Sequence, residues 1–225
     1  MAKNVSRISS VPQRSSLRAE VERMLSAAIV AGELAPGIVV SVPELAARFG
    51  VSATPVREAM LNLENRGFVS SVRNKGFRVT PVGEDDLQEL VQVRCWLEVP
   101  AARLAAADFP MDQMDRFRAL ADDIVQTAAA ADFADYLAAD TAFHLALIEL
   151  TGNTRLRNVV ADLRSQTRLV GLASLKDTKE LKRSAAEHHL MLDLLADGKA
   201  DEVAELMETH IGHVVGWWAG RSETD

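Results

Sequence analysis

A chain of 225 residues with 48% hydrophobic and 25% charged residues holds enough apolar material for two modest cores. No apolar run reaches about 18 uncharged residues, and Met1-Ala2-Lys3-Asn4-Val5-Ser6-Arg7 leads into no apolar signal core, so neither a membrane span nor an export signal is expected and the cytoplasm is the expected location. The single cysteine, Cys95, rules out an internal disulfide; it lies in an apolar helical pattern, which predicts a buried thiol.

The net charge of −7 argues against a nucleic-acid partner until the chain is divided near Gly83. Residues 1–83 hold 11 basic and 6 acidic residues, whereas the remainder holds 14 basic and 26 acidic. A basic N-terminal part on an acidic body suits phosphate attraction, which acts as a local field, although uneven solvated surfaces produce the same split.

Residues 1–13 are polar, Ser-rich and basic and predict a disordered arm. From Arg14, residues Leu17, Val21, Met24, Leu25, Ala28 and Ile29 recur on one helical face until Gly32, ahead of Pro36-Gly37. Val42 to Gly50 reads as a short helix closed by glycine, and Thr54 followed by Pro55 predicts a second helix starting at Thr54. In that second helix Val56, Met60 and Leu63 face a core, leaving Arg57, Asn62 and Arg66 on an outward polar face. Two short helices across a tight turn make a helix-turn-helix, whose second helix enters the DNA major groove. The β-prone runs Phe68–Val72 and Gly76–Thr80, joined by Arg73-Asn74-Lys75, predict a two-stranded wing with a basic tip.

Thr80-Pro81-Val82-Gly83 breaks the pattern, so the winged domain is placed at residues 14–80 and a linker at 81–83. Residues 84–220 carry alanines, leucines and charges at helical intervals and predict an all-helical antiparallel bundle, with 221–225 as a tail. The expected fold class is therefore mainly α. Six helices are expected, near Glu84 to Ala107 with a kink or interruption at Pro100, Met111 to Ala129, Phe133 to Thr151, Arg155 to Ser174, Lys179 to Asp197 and Asp201 to Ala219.

Within this bundle Asp140 and His144 stand four apart and project from one helix face, while His188 and His210 lie among apolar residues on two other helices. Two readings fit that spacing: hydrogen-bonded core histidines, or four ligands converging on a divalent ion, for which imidazole favours zinc or nickel over manganese. His189 must point about 100° away from His188 and makes a poor ligand for the same ion. His213, three residues after His210, faces either the same cavity or solvent. Arg94 pairs with Glu98 or serves a ligand carboxylate, and Arg164 with Arg168 lines an anion cavity or forms a solvated basic face, the simpler account. Trp217 and Trp218 read as packing or interface residues.

Val51-Ser52-Ala53-Thr54-Pro55-Val56-Arg57-Glu58-Ala59 and the later Gly76-Phe77-Arg78-Val79 resemble the winged helix-turn-helix of the GntR family of bacterial transcription regulators, over Leu17 to Pro81. Asp140-Thr141-Ala142-Phe143-His144, Glu187-His188, His210-Ile211 and the opening Arg94-Cys95-Trp96-Leu97-Glu98 resemble the FCD effector domain of that family's FadR subfamily. The resemblance implies DNA contacts from Arg48, Ser52, Thr54, Arg57, Arg73 and Lys75. It also implies metal ligation by Asp140, His144, His188 and His210, with a small organic acid bound at or beside the ion and Arg94 as its carboxylate contact; His213, by its spacing from His210, is the other candidate effector contact. Where the family usually has arginine between Ser52 and Thr54 this chain has Ala53, whose methyl group cannot donate to a base edge, so the expected operator differs from the family's usual one.

The function expected is a non-enzymatic transcription regulator, a repressor by the family's habit, acting as a homodimer on a pseudo-palindromic operator because one winged domain reads only a few base pairs. Two alternatives carry different expectations: a metal sensor in which the ion is the signal, and a metalloenzyme acting on a carboxylate, for which no dedicated nucleophile or acid/base pair stands out.

Overall fold

The computed structural model describes residues 15–30, 32–81, 83–130, 133–166 and 178–216. The arm, the tail, Arg168, Trp217 and Trp218 lie outside them.

Helix α1 (Ser15–Val30) packs Val21, Leu25 and Ile29 against α3 (Ala53–Asn65), which returns Val56, Ala59, Met60 and Leu63. Between them α2 (Val42–Phe49) begins at Ser41, whose hydroxyl accepts from the Glu44 N–H at 3.3 Å, and ends at Gly50 in the left-handed region at φ 65°. There the Gly50 N–H reaches back to the Ala46 and Ala47 carbonyls, turning the chain into α3 within three residues. Helix α3 starts one residue before the expected Thr54. Ser52 takes the extended cap conformation, and Pro55 falls at the third helical position, still inside the first turn where a missing N–H costs nothing.

The wing consists of β2 (Val69–Val72) and β3 (Gly76–Val79), paired antiparallel with Val72 opposite Gly76. Asn74 turns the tip at φ 59°, a left-handed conformation that asparagine tolerates. A short third strand, β1 (Val39–Val40), adds to the other edge of β3, so the sheet has the order β1-β3-β2 rather than two strands alone. The addition requires Gly76, at φ 124°, because a Cβ there would run into the Val40 carbonyl oxygen. Phe68, Phe77 and Val79 close the core beneath the sheet, and Ser71 donates its N–H to Glu64 of α3, tying wing to helix.

Six α-helices follow among the described residues: α4 (Glu84–Ala107), α5 (Met114–Ala130) after a short 3₁₀ turn (Met111–Gln113), α6 (Phe133–Glu149), α7 (Thr154–Gln166), α8 (Lys179–Ala196) and α9 (Ala200–Gly212). The Gly83 N–H donates to Asp86 at the start of α4, and α4 runs through Pro100 as one helix rather than breaking there. Helix α9 ends at Gly212, ahead of the expected Ala219, which lies outside the described residues: after Gly212 the bonds tighten to Val214 N–H on Ile211 and Val215 N–H on Gly212, a turn that sets His213 just past the helix. Phe117, Ile124, Phe143, Leu181, Leu192, Met207 and Ile211 fill the bundle interior. Each such side chain contributes about 1.5–3 kcal/mol by leaving water.

Asn62 and Arg66 depart from the expected outward polar face. Asn62 Nδ2 and Arg66 Nη1 each hold one oxygen of Glu22 on α1, both at 3.0 Å, because the end of α3 packs against α1 rather than facing solvent. Cys95 is half-buried rather than enclosed, and burial pushes its thiol up.

Candidate metal centre and DNA-binding face

Helices α6, α8 and α9 bring Asp140, His144, His188 and His210 together, with one donor atom from each within 4.8 Å of the others. His144 Nε2 stands 3.2 Å from His188 Nε2 and 3.3 Å from His210 Nε2, and Asp140 Oδ1 lies 3.3 Å from His188 Nε2 and 3.7 Å from the other two. The i, i+4 spacing in α6 supplies two donors; the other two arrive on separate helices whose remaining buried residues, Glu187 apart, are apolar or small. Phe143 sets its edge against the His188 ring at 4.8 Å between centroids and limits its rotation.

Hydrogen bonding on the far side of each ring fixes which nitrogen faces the centre. His188 Nδ1 donates to the Ala185 carbonyl at 3.1 Å, and His210 Nδ1 donates to Glu187 Oε2 at 2.8 Å, so the neutral form of each presents an Nε2 lone pair inward. His144 Nδ1 is buried without a hydrogen-bond partner, 3.7 Å from Glu98 Oε2. Protonated at Nδ1, His144 adds a third lone pair to the centre; protonated at Nε2, it turns a lone pair toward a carboxylate. Either arrangement opposes like charges in a buried space, and a central cation removes the conflict. Four donors about 2.0–2.2 Å from one ion at tetrahedral angles stand about 3.3–3.6 Å apart, and the separations above, from 3.2 to 3.7 Å, bracket that spacing.

The electrostatics favour a cation. Three carboxylates (Glu98, Asp140 and Glu187) meet two guanidiniums (Arg94 and Arg164) around the rings. Burial disfavours the Asp140 carboxylate, but Arg164, His144 and the bonds to His188 and His210 together outweigh it and hold its pKa well below the usual range. Burial, with Arg164 adding to it, depresses His144, and burial also depresses His188. At His210 the same burial is overcome by Asp140 and Glu187, which raise its pKa: the field that draws a proton to this ring also draws a metal ion. Glu187 is itself brought down to about 2 against burial by the His210 and His213 bonds.

The neighbours take clear places. Arg94, buried, donates Nε to Glu98 Oε1 at 2.7 Å, and His213, also buried, holds both Glu187 oxygens at 3.0 Å. His189 points away to Asp122 at 3.1 Å. Arg164 is no part of a solvated basic face: its guanidinium reaches Glu98 Oε2 at 2.6 Å and Asp140 Oδ2 at 2.8 Å. The signal was its spacing of four from Val160, which puts both on the buried face of α7. Tyr136 and Ser184, buried beside Asp140 and Glu187, were missed; each sits on the inward face of its helix, Tyr136 four before Asp140 and Ser184 four before His188.

On the winged domain Arg48, Ser52, Thr54, Arg57, Arg73 and Lys75 are all exposed. None of these four cations pairs with a carboxylate among the described residues, so their charge is available to a polyanion. Ala53 is exposed beside Thr54 at the start of α3.

A three-helix winged domain with unspent surface cations, joined to a helical bundle, defines a DNA-binding transcription regulator. Residues 17–79 match the family described as bacterial regulatory proteins, gntR family, and residues 89–213 match the FCD domain. The chain belongs to the GntR family and carries an FCD domain. It is 33% identical over 179 residues to the Nta operon transcriptional regulator of Aminobacter aminovorans, covering 78% of this chain and 82% of that protein. It is 31% identical over 197 residues to the "Probable D-xylose utilization operon transcriptional repressor" of Paenarthrobacter nicotinovorans, covering 88% and 86%. The solved structure of E. coli McbR/YncC shares the fold, with a TM-score of 0.74 at 24% identity over 91% of this chain and 98% of that one. No helix among the described residues is long and apolar enough to cross a membrane.

Proposed function

We propose that this regulator binds a pseudo-palindromic operator as a homodimer through Arg48, Ser52, Thr54, Arg57, Arg73 and Lys75, and that a small organic acid, held at or beside a divalent ion, sets its affinity. Asp140, His144, His188 and His210 hold the ion, zinc in preference to nickel or manganese because three imidazoles dominate the donor set. The observation that carries the reading is the convergence of three Nε2 atoms and one carboxylate oxygen from three helices on one buried point. When bound, the ion supplies a positive, Lewis-acidic centre for a carboxylate. Arg94 and His213 contribute through Glu98 and Glu187, which they hold beside the rings. Repression in the cytoplasm is the proposed mode, in line with a relative named as a repressor.

The coupling works only if the acid binds the DNA-competent and released states with different affinity. The experiment is metal content of the purified chain, followed by operator affinity of the zinc-loaded protein across a panel of short mono- and dicarboxylic and hydroxy acids. An acid that shifts the affinity of the zinc-loaded protein, and does so only with zinc present, supports the reading; a shift with zinc that no acid alters supports the ion as the signal. Identical affinity under every condition rejects both.

A further inference from the structure

The recognition helix is tethered to the bundle. Arg66 caps the C-terminus of α3, and its guanidinium is engaged on three sides: Nη1 with Glu22 Oε1 at 3.0 Å, the face over the Phe68 ring at 5.0 Å, and Nη2 with the Ser165 carbonyl at 3.4 Å. The first two contacts stay within the winged domain, whereas the third crosses to the last turn of α7.

Arg164, the residue before Ser165, spans Glu98 and Asp140. Asp140 divides its two oxygens, Oδ2 to Arg164 and Oδ1 into the histidine cluster. A ligand drawing on Asp140 therefore changes the acceptor that anchors the last turn of α7, and one residue further along the same rigid turn is the carbonyl that Arg66 grips. The contact at 3.4 Å is the longest in the chain of bonds, so a displacement small enough to leave the buried Arg164 pairs intact takes it beyond hydrogen-bond range. A cleft of about 440 Å³ between the two domains, lined by Glu22, Arg66, Thr141, Arg164 and Ser165, leaves room for such a movement. The exposed Arg23–Asp135 pair, at 3.3 Å, also crosses between the domains but is screened by solvent and sits on the first turn of α6, away from the cluster.

We propose that Arg66 is a positioning residue: it latches the recognition helix to α7 and relays the state of the Asp140 cluster to the DNA-binding face. The inference rests on the metal reading above.

The test uses the full chain, zinc alone as the probe, and a DNA fragment selected by the protein from a random pool. In the wild type, zinc is expected to change DNA affinity by about 5- to 150-fold, and the DNA to change zinc affinity by the same factor. Arg66→Met keeps aliphatic cover on Phe68 and removes the polar contacts; both factors should fall to about one while zinc affinity without DNA stays at the wild-type value. Glu22→Gln keeps an acceptor for Arg66 and should retain the coupling. Wild-type coupling in Arg66→Met overturns the latch, and so does loss of coupling in Glu22→Gln as complete as in Arg66→Met, which would assign the effect to packing of α1 on α3. Zinc binding without any coupling in the wild type sinks the latch and leaves the metal site standing, whereas no zinc binding removes the site and the latch together.

Discussion

Arg164 and Asp140 share a 2.8 Å ion pair on one side of a carboxylate whose other oxygen enters the histidine cluster. One guanidinium thus compensates the proposed ligand Asp140 and the neighbouring Glu98. Arg164→Met leaves both carboxylates buried without that charge, and breaking a buried pair from one side costs about 3–5 kcal/mol. Chemical denaturation of the metal-free protein should show that loss. Zinc should stabilise the variant more than the wild type, since a cation then replaces the missing one. Equal stability of variant and wild type without metal would contradict the compensation argument.

His144→Ala and His188→Ala each remove a donor from the centre and, in the proposed site, abolish stoichiometric zinc uptake while α6 and α8 stay folded. Isothermal titration with zinc, alongside circular dichroism, measures both properties. Full zinc uptake by the two variants would remove the site.

Glu187 holds the His210 ring through Nδ1 at 2.8 Å and is held in turn by His213. A carboxylate behind a ligating imidazole fixes its tautomer and raises its basicity, and losing such support costs about 10- to 100-fold in metal affinity. Glu187→Gln should show that drop in a competition assay against a chromophoric chelator, with His213→Asn showing a smaller one. An unchanged affinity in Glu187→Gln would make the carboxylate a packing element only.

Arg57 and Lys75 should separate by salt dependence. Arg57 lies in the exposed first turns of α3, where an arginine pairs bidentately with guanine, so Arg57→Ala should cost about 1–3 kcal/mol on the selected operator and little on random DNA. Lys75, at the wing tip, is expected to meet phosphate, so Lys75→Ala should weaken both DNAs alike and lower the log-log salt slope by about one. Filter binding across a salt series distinguishes them, and equal losses on both DNAs for Arg57→Ala would undo its assignment to base readout.

Gly76→Ala tests the third strand. A methyl group at φ 124° both strains the backbone and strikes the Val40 carbonyl, so β1 must leave β3. The variant should lose about 1–3 kcal/mol of stability, with amide exchange rising at Val40 and Phe77. Unaltered exchange at those amides would show that β1 is dispensable to the wing.

The order and type of nearly every element follow from local chemistry. Gly50 can close α2 only because it tolerates a left-handed turn, and Asn74 marks the wing tip for the same reason. The periodicity of Val56, Met60 and Leu63 names the buried face of α3, and the four-residue spacing of Asp140 and His144 puts two donors on one side of α6. Short-range geometry is enough for such features, because neighbours in sequence set the dihedrals.

Meetings between distant residues are another matter. That His188 and His210 close on Asp140, that Arg164 turns inward to balance two carboxylates, and that Arg66 leaves the outward face of α3 for Glu22 and α7 all depend on how helices far apart in the chain pack. A lone basic or imidazole side chain has the same local signature whether it faces water or a buried acid. The crossing of the helices chooses between them, through the cost of leaving a charge unpaired away from solvent.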